Sequence, residues 1–356
     1  MADGTFPQNA AQLAPAGLAS FLNPLQPHLM RPEVIELCIN RPKELFIETY
    51  DGWNVEQVDA LSFEHLTSFA TTVATFTKQS ISATSPILSG SLPGGERIQI
   101  VLPPAVPAGT VSITIRKPSE RSFTLDDYEA AGMFEDILTE TDALSTADRD
   151  LLDLYEAQSW KGFLSRAVKE RKNILISGST GSGKTTFSKA LIPEIPDHER
   201  ILTIEDTVEL VIPQPNNVRL IYSKDGQGQA KVSARQLLES ALRMRPDRIF
   251  LQELRDASAF YYLRNVNTGH SGSITTIHAD SAMLAFEQLA LLVKESEAGR
   301  DLKRSEIKEM LFQMVDVVVQ VKRSEGKFRI TEIYFDPLRK LGREEGKARE
   351  EKETGQ

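Results

Sequence analysis

At 356 residues the chain is long enough for two domains, each with its own core. Apolar residues make up 40% and charged residues 26%, which excludes a membrane-embedded protein, and no stretch approaches the roughly 18 apolar residues of a bilayer span. The net charge of −9 argues against a broadly basic nucleic-acid groove, and a single cysteine, Cys38, excludes an intrachain disulfide and a cysteine-based zinc site.

The N-terminus lacks the basic and apolar regions of a signal peptide, and one core cysteine fits a reducing cytosol. Up to about residue 28 the sequence is rich in Ala, Pro and Asn and is expected to fray, apart from a helical piece at Leu18 to Leu22. Strand-like runs follow at Glu36 to Asn40 and Glu44 to Thr49 around the turn signal Asn40-Arg41-Pro42. Phe63, Leu66, Phe69, Ala70, Val73 and Phe76 recur at helical spacing and predict an amphipathic helix over Ser62 to Lys78. Alternating segments at Glu96 to Val101 and Thr110 to Arg116, joined by a Pro-rich loop, complete a small α+β domain.

From Asp136 to Asp150 the acidic, Ser/Thr-rich sequence predicts a linker, with a helix from about Leu151 to Lys169 beyond it. Short apolar strands then alternate with amphipathic helices. Strands are expected at Asn173 to Ser177, Arg200 to Glu205, Val218 to Ser223, Arg248 to Glu253 and Ser273 to His278. Helices fit Lys184 to Leu191, Ala234 to Met244, Ser258 to Asn267 and Ala282 to Val293. That alternation predicts a parallel sheet covered on both faces, closed by strands at Met314 to Val321 and Phe328 to Phe335. The organisation is therefore an N-terminal α+β domain (1–135), a linker (136–150), a larger α/β domain (151–338) and a charged tail (339–356) read as disordered.

Gly178-Ser179-Thr180-Gly181-Ser182-Gly183-Lys184-Thr185 sits between a strand and a helix, the context in which a glycine-rich loop cradles phosphate. Its glycines let consecutive amides point inward, and the helix dipole adds to the attraction. Lys184 is placed to neutralise β- and γ-phosphate charge and Thr185 to ligate magnesium, so ATP and Mg2+ are the expected cofactors, with Thr186 following on the helix. The guanine-reading motif of Ras-like GTPases is absent.

Two acidic strand ends, Thr203 to Glu209 and Ile249 to Asp256, belong at the carboxyl edge of such a sheet. There Glu205, Glu209 or Glu253 can polarise the attacking water or hold the magnesium shell, whereas Asp256 can merely cap a helix. Two of the five histidines, His270 and His278, flank one strand. Without a third ligand they do not make a zinc site, leaving either a structural or a γ-phosphate-sensing role.

With these motifs in this order, the sequence resembles the secretion ATPase superfamily, the hexameric traffic ATPases of type II and type IV secretion and of type IV pili. The resemblance spans roughly residues 20–335 and rests on the Walker A loop, the Asp box (Thr203 to Glu209), the Walker B strand ending Gln252-Glu253-Leu254-Arg255 and the His box (Gly269 to His278). The short N-terminal domain, with Gly95 to Ile100 and Ser112 to Pro118, is similar to the type IV secretion branch. One cysteine cannot build the zinc element usual in type II members, and the terminal motif of pilus retraction members is not found.

The resemblance implies a RecA-like ATPase domain, Mg-dependent ATP hydrolysis by a homohexameric ring, and a cytoplasmic location at the inner membrane. It implies secretion-channel and coupling partners, peripheral membrane association, and no sequence-specific nucleic-acid binding. It makes Glu209 and Glu253 candidates for activating water and gives nucleotide sensing to His278 and His270. Arg97 and Arg116 would reach nucleotide at the domain interface, and Arg243 or Arg245 would neutralise charge, from a neighbouring subunit if it acts as a finger. Gln252 stands where other P-loop ATPases carry a magnesium-binding Asp, which leaves the ion to Glu205, Asp206 or Glu253 through water. A nucleotide-gated scaffold with little turnover is the alternative reading, and a small-molecule phosphotransferase is disfavoured.

Overall fold

The computed structural model describes residues 14–118, 124–135, 137, 144–224, 227–266 and 269–341. Its chain divides into two compact units, the first formed by 1–137 with 216–246 and the second by 138–215 with 247–356.

The first unit is built on an antiparallel sheet of six strands in the order β3-β2-β1-β6-β5-β4. These are β1 (Val34–Arg41), β2 (Glu44–Thr49), β3 (Gly52–Gln57), β4 (Ile87–Ser91), β5 (Arg97–Val101) and β6 (Ser112–Arg116). Alternate residues Ile98 and Ile100, Ile113 and Ile115, and Leu37 and Ile39 share one core with Leu66, Phe69 and Val73 of helix Phe63–Phe76. Ser62 caps that helix, its hydroxyl accepting from the His65 amide. The N-terminal stretch expected to fray is instead packed from residue 16 onward. Leu18, Leu22, Leu25 and Leu29, spaced by a turn or two, are buried in the same core through helices Ala16–Leu22 and Gln26–Leu29. Each such burial contributes about 1.5–3 kcal/mol. Cys38 is a buried residue of β1.

Residues 216–246, expected in the ATPase domain, group with this first unit. Polar side chains hold them there. Asn40 donates to Asn216 (2.9 Å), Gln99 to Ser240 (2.9 Å), and Arg245 grips the Glu48 carboxylate with two nitrogens. Backbone bonds from Ile221 to Ala105 and from Lys231 to Thr84 complete the attachment. Strand β9 (Asn217–Ile221) and helix Ala234–Ala241 lie in this segment.

In the second unit β7 (Ile174–Ser177) lies in parallel between β11 (Ile274–Ile277) and β12 (Val317–Ser324), and β13 (Lys327–Phe335) returns antiparallel to β12. Strands β8 (Ile201–Glu205) and β10 (Arg248–Leu251) pair in parallel. The two ladders meet at one bridge, Glu253 with Thr276, and through hydroxyl groups. Ser273 donates to the Ile249 carbonyl (2.8 Å) and Thr275 to that of Leu251 (2.5 Å). The order is thus β8-β10-β11-β7-β12-β13, a RecA-like arrangement with the first strand inside the sheet. Ile174 and Ile176 face a core shared with Phe163, Leu164 and Val168. Leu175, on the opposite face, borders a cavity with Tyr262, Leu263 and Leu289, so helices cover both faces as alternation requires.

The long helix expected over 151–169 is two, Thr146–Glu156 and Trp160–Lys169, parted where Gln158 takes a φ of 54°. The first begins within the expected linker, whose residues 136 and 138–143 lie outside the described ones. Helix Arg304–Met314, β3 and β4 were not expected, and β12 starts at Val317 rather than Met314. Helix Pro337–Lys340 runs across the predicted start of the tail, which lies outside the described residues from 342 on.

Arg248 anchors the inner end of β10. Its side chain is fully buried and forms a fork with Glu199 (2.7 and 2.9 Å). It also donates to the carbonyls of Val168 and Gly272. Removing Arg248 leaves the buried Glu199 carboxylate with Arg171 (3.4 Å) and two buried carbonyls without this donor, at a cost of up to about 3–5 kcal/mol. Arg248→Ala is therefore expected to lower the unfolding free energy by that amount, as measured by urea denaturation.

Candidate functional site

β7 ends at Ser177 and the glycine-rich loop begins at the next residue. A Cβ on Gly178 would collide with the Val321 carbonyl oxygen and the Ser182 hydroxyl, so only glycine fits. Gly181 and Gly183 adopt φ values of 73° and 94°, the left-handed region that favours glycine. Helix Lys184–Leu191 starts at Gly183 with no side chain capping it, whereas Ser62, Ser145, Ser233 and Ser281 each cap a helix. Its first amides remain for an anion.

Lys184 is buried at 8% exposure and donates to the carbonyls of Gly178 (2.8 Å) and Ser179 (3.1 Å). Burial pushes its ammonium below the ordinary lysine value, and the negative charge of Glu253 acts in the opposite sense.

From Lys184 a line of charged groups crosses three strand ends. Nζ of Lys184 lies 3.2 Å from Nδ1 of His278, and Nε2 of His278 lies 2.5 Å from Glu253 Oε1. The ammonium can only donate, so Nδ1 accepts and Nε2 carries the hydrogen toward the carboxylate. Arg255 Nε holds the other oxygen of Glu253 at 2.8 Å, and its Nη2 reaches Asp206 at 2.9 Å. Parallel register produces the line. Ile277 pairs with Ser177, placing His278 beside Gly178, and Glu253 bridges to Thr276, two residues from His278.

The other expected residues divide around this cluster. Ser179 and Thr180 are exposed at the loop crest, Ser182 is buried, and Thr185 and Thr186 stand on the first helical turn. Glu209 is exposed and accepts from Gln252 (3.0 Å), so the residue in the usual Asp position supports an acid instead of being one. Glu205 lies at the base of the Asp-box loop. Its fully buried carboxylate accepts from the Thr203 hydroxyl (2.7 Å) and from the amides of Glu209 (2.8 Å) and Leu210 (2.9 Å). Both oxygens thereby take part in folding the loop that presents Asp206 and Glu209.

His270 stands apart from His278. It precedes β11, at the end of the sheet opposite the phosphate loop, where Asn173 accepts from the amides of Gly272 and Ser273. A four-residue strand, about 13 Å long, separates it from His278. Asp256 accepts from the Ser258 amide at the start of helix Ser258–Val266, which is the capping role. In the first unit Arg97 and Arg116 are exposed and stand directly opposite one another on β5 and β6. Arg243 is exposed, while Arg245 is held by Glu48 with its guanidinium 5.7 Å from the Trp53 ring centre.

Sequence reasoning missed Arg255 as the residue joining the Asp box to Glu253. Its position two residues after Glu253, just beyond the end of β10, was the available signal.

The residues fit a nucleotide phosphate. The buried Ser182 hydroxyl has no partner, the helix start is uncapped, and Lys184 is turned onto its own loop. For magnesium, Thr185 offers one hydroxyl, and among the described residues no cluster of three acids or histidines competes for an ion. That suits an ion held mainly by phosphate and water. Forcing a methyl group into the Gly178 contact costs about 1–3 kcal/mol. Gly178→Ala should therefore lower the unfolding free energy by about that amount in urea denaturation.

Comparison with known proteins agrees with this geometry. A sequence profile of the family described as "Type II/IV secretion system protein" matches residues 144–327. The type IV secretion system protein VirB11 of Bartonella henselae is 55% identical over 89% of this chain and 92% of its own. VirB11 of Brucella suis is 44% identical over 94% of each. The crystal structure of the Brucella suis VirB11 ATPase superposes with a TM-score of 0.87, covering 92% of this chain and 100% of that one. A loop built for phosphate, an acid and a histidine at adjoining strand ends, and this extent of identity lead to one conclusion: the chain belongs to the type II/IV secretion system protein family and is a traffic ATPase of type IV secretion systems.

Proposed function

We propose that this ATPase works as a magnesium-dependent ring motor in which Glu253 activates the attacking water, Lys184 and the loop amides hold the phosphates, and Thr185 contributes to the metal site. The line Lys184–His278–Glu253–Arg255–Asp206 carries this reading. It places an acceptor for a water proton within one imidazole of the lysine that neutralises phosphate charge. Magnesium, when bound, would neutralise charge on the phosphate oxygens. The Brucella suis relative is described in complex with sulphate, a tetrahedral anion of the same class as phosphate.

Both oxygens of Glu253 are engaged by His278 and Arg255. A phosphate drawing Lys184 off the Gly178 and Ser179 carbonyls also removes the donor to His278 Nδ1. That loosens the imidazole and frees one carboxylate oxygen for water. His278 thus senses the state of the phosphate site, and Arg255 keeps the carboxylate aimed.

Arg97 and Arg116 support an anionic contact of the first unit. Like charges directly opposite in a sheet are destabilising, and a bound phosphate relieves them. Arg243 is the better candidate for an arginine acting on a neighbouring subunit, since Arg245 is committed to Glu48. Such a finger contributes about 10³–10⁵ in rate. In this reading six subunits form the ring, and nucleotide turnover drives work on secretion-channel components at the cytoplasmic face of the inner membrane. Among the described residues no helix is long and apolar enough to cross a membrane, so membrane contact would be peripheral.

Lys184→Ala is expected to lower ATP hydrolysis by at least about a hundredfold. Retained turnover in a phosphate-release assay would contradict the assignment. Arg97→Ala with Arg116→Ala should raise KM for ATP about tenfold or more while the fold is kept, because charge-assisted hydrogen bonds contribute about 1.5–3 kcal/mol each. Arg243→Ala should lower steady-state activity in the assembled protein and leave nucleotide affinity unchanged. A strictly monomeric, fully active enzyme in sedimentation would overturn the ring.

A further inference from the structure

The β12–β13 hairpin runs past the end of the sheet. The last β12 residue paired with β7 is Gln320, opposite Ser177, yet the two hairpin strands continue together to Ser324 and Lys327. The continuation lies on the phosphate loop. Val321 contributes the carbonyl that excludes any side chain at Gly178, and the ring of Phe328 lies where a Cβ on Gly183 would be, 2.9 Å from its Cδ1. Both ends of the loop are thus in contact with this hairpin.

Phe328 is 58% exposed, a large apolar ring left in solvent next to the residue that starts the phosphate-binding helix. Its cross-strand partner is Arg323, whose guanidinium carbon lies 5.6 Å from the ring centre. Lys322, Arg323 and Lys327 make this end of the hairpin basic and exposed. An exposed aromatic ring beside an arginine, at the edge of a phosphate site, has the chemistry of a base-stacking platform.

We propose that Phe328, supported by Arg323, is the surface on which the base of the bound nucleotide stacks. The inference rests on Gly178 to Thr185 being the phosphate loop, and it adds a base subsite that the loop motif does not contain. Stacking reads ring area rather than exocyclic groups, so the subsite favours purines over pyrimidines and discriminates weakly between adenine and guanine. It also explains why glycine is required at 183 on two counts, a left-handed φ and the ring against it.

The test compares ADP with inorganic tripolyphosphate as ligands of the full chain by calorimetry. Phe328→Leu keeps an apolar side chain against Gly183 but removes the aromatic face, and Phe328→Trp enlarges it. The expected result is a 5- to 150-fold loss of ADP affinity in Phe328→Leu, the range that about 1–3 kcal/mol of stacking represents. Tripolyphosphate affinity should not change, and Phe328→Trp should bind ADP at least as tightly as the wild type. An equal loss for both ligands would overturn the proposal by showing that the ring only buttresses the loop, as would ADP binding unaffected by Phe328→Leu. A wild-type chain that binds neither ligand would instead sink the phosphate-loop reading on which the subsite stands.

Discussion

An ammonium group taken out of water needs acceptors that match its charge, and most of the second unit's organisation around the site follows from giving Lys184 those acceptors. Burial of an unpaired ion costs several kcal/mol. Here the charge is met by two loop carbonyls and an imidazole nitrogen, and at longer range by Glu253. The partners that make the buried lysine tolerable are also groups of the phosphate loop and its neighbouring strand end, so stability and site geometry are set by one group.

The sheet supplies the geometry. Parallel register puts the ends of β7, β10 and β11 side by side, so the glycine loop, Glu253 and His278 converge although they are far apart in the chain. The seam between β10 and β11 differs from the rest of the sheet. A single bridge and the hydroxyls of Ser273, Thr275 and Thr276 replace a continuous backbone ladder there. It divides the loop-and-histidine half of the site from the half carrying Glu253, Arg255 and Asp206. The hydrogen bond from His278 to Glu253 crosses this seam, linking the position of the lysine to the aim of the carboxylate.

Much of this was legible in the sequence because it rests on local rules. Glycine spacing gave the loop, apolar alternation gave β5, β6, β7 and β11, and helical periodicity gave Phe63–Phe76. Other features were legible and overlooked. The Asp51-Gly52 turn signals the hairpin to β3, and Ile307, Leu311 and Phe312 mark one face of helix Arg304–Met314. The C-terminal-edge rule, applied to strand direction, would have separated His278 from His270. The grouping of 216–246 with the first unit was not legible. It depends on single polar contacts, such as Asn40 with Asn216 and Arg245 with Glu48, between residues far apart in the chain. Nor were the loop hydrogen bonds of Glu205, since a carboxylate's donors cannot be read from its place in the sequence.

The central claim is that Glu253, aimed by His278 and Arg255 beside Lys184, activates the water that cleaves ATP. Single-turnover hydrolysis by Glu253→Gln tests it most directly, because glutamine keeps the shape but accepts no proton. The account predicts that the variant binds ATP as tightly as the wild type and cleaves it about 10²–10⁴-fold more slowly. Cleavage of bound ATP at the wild-type rate would contradict it.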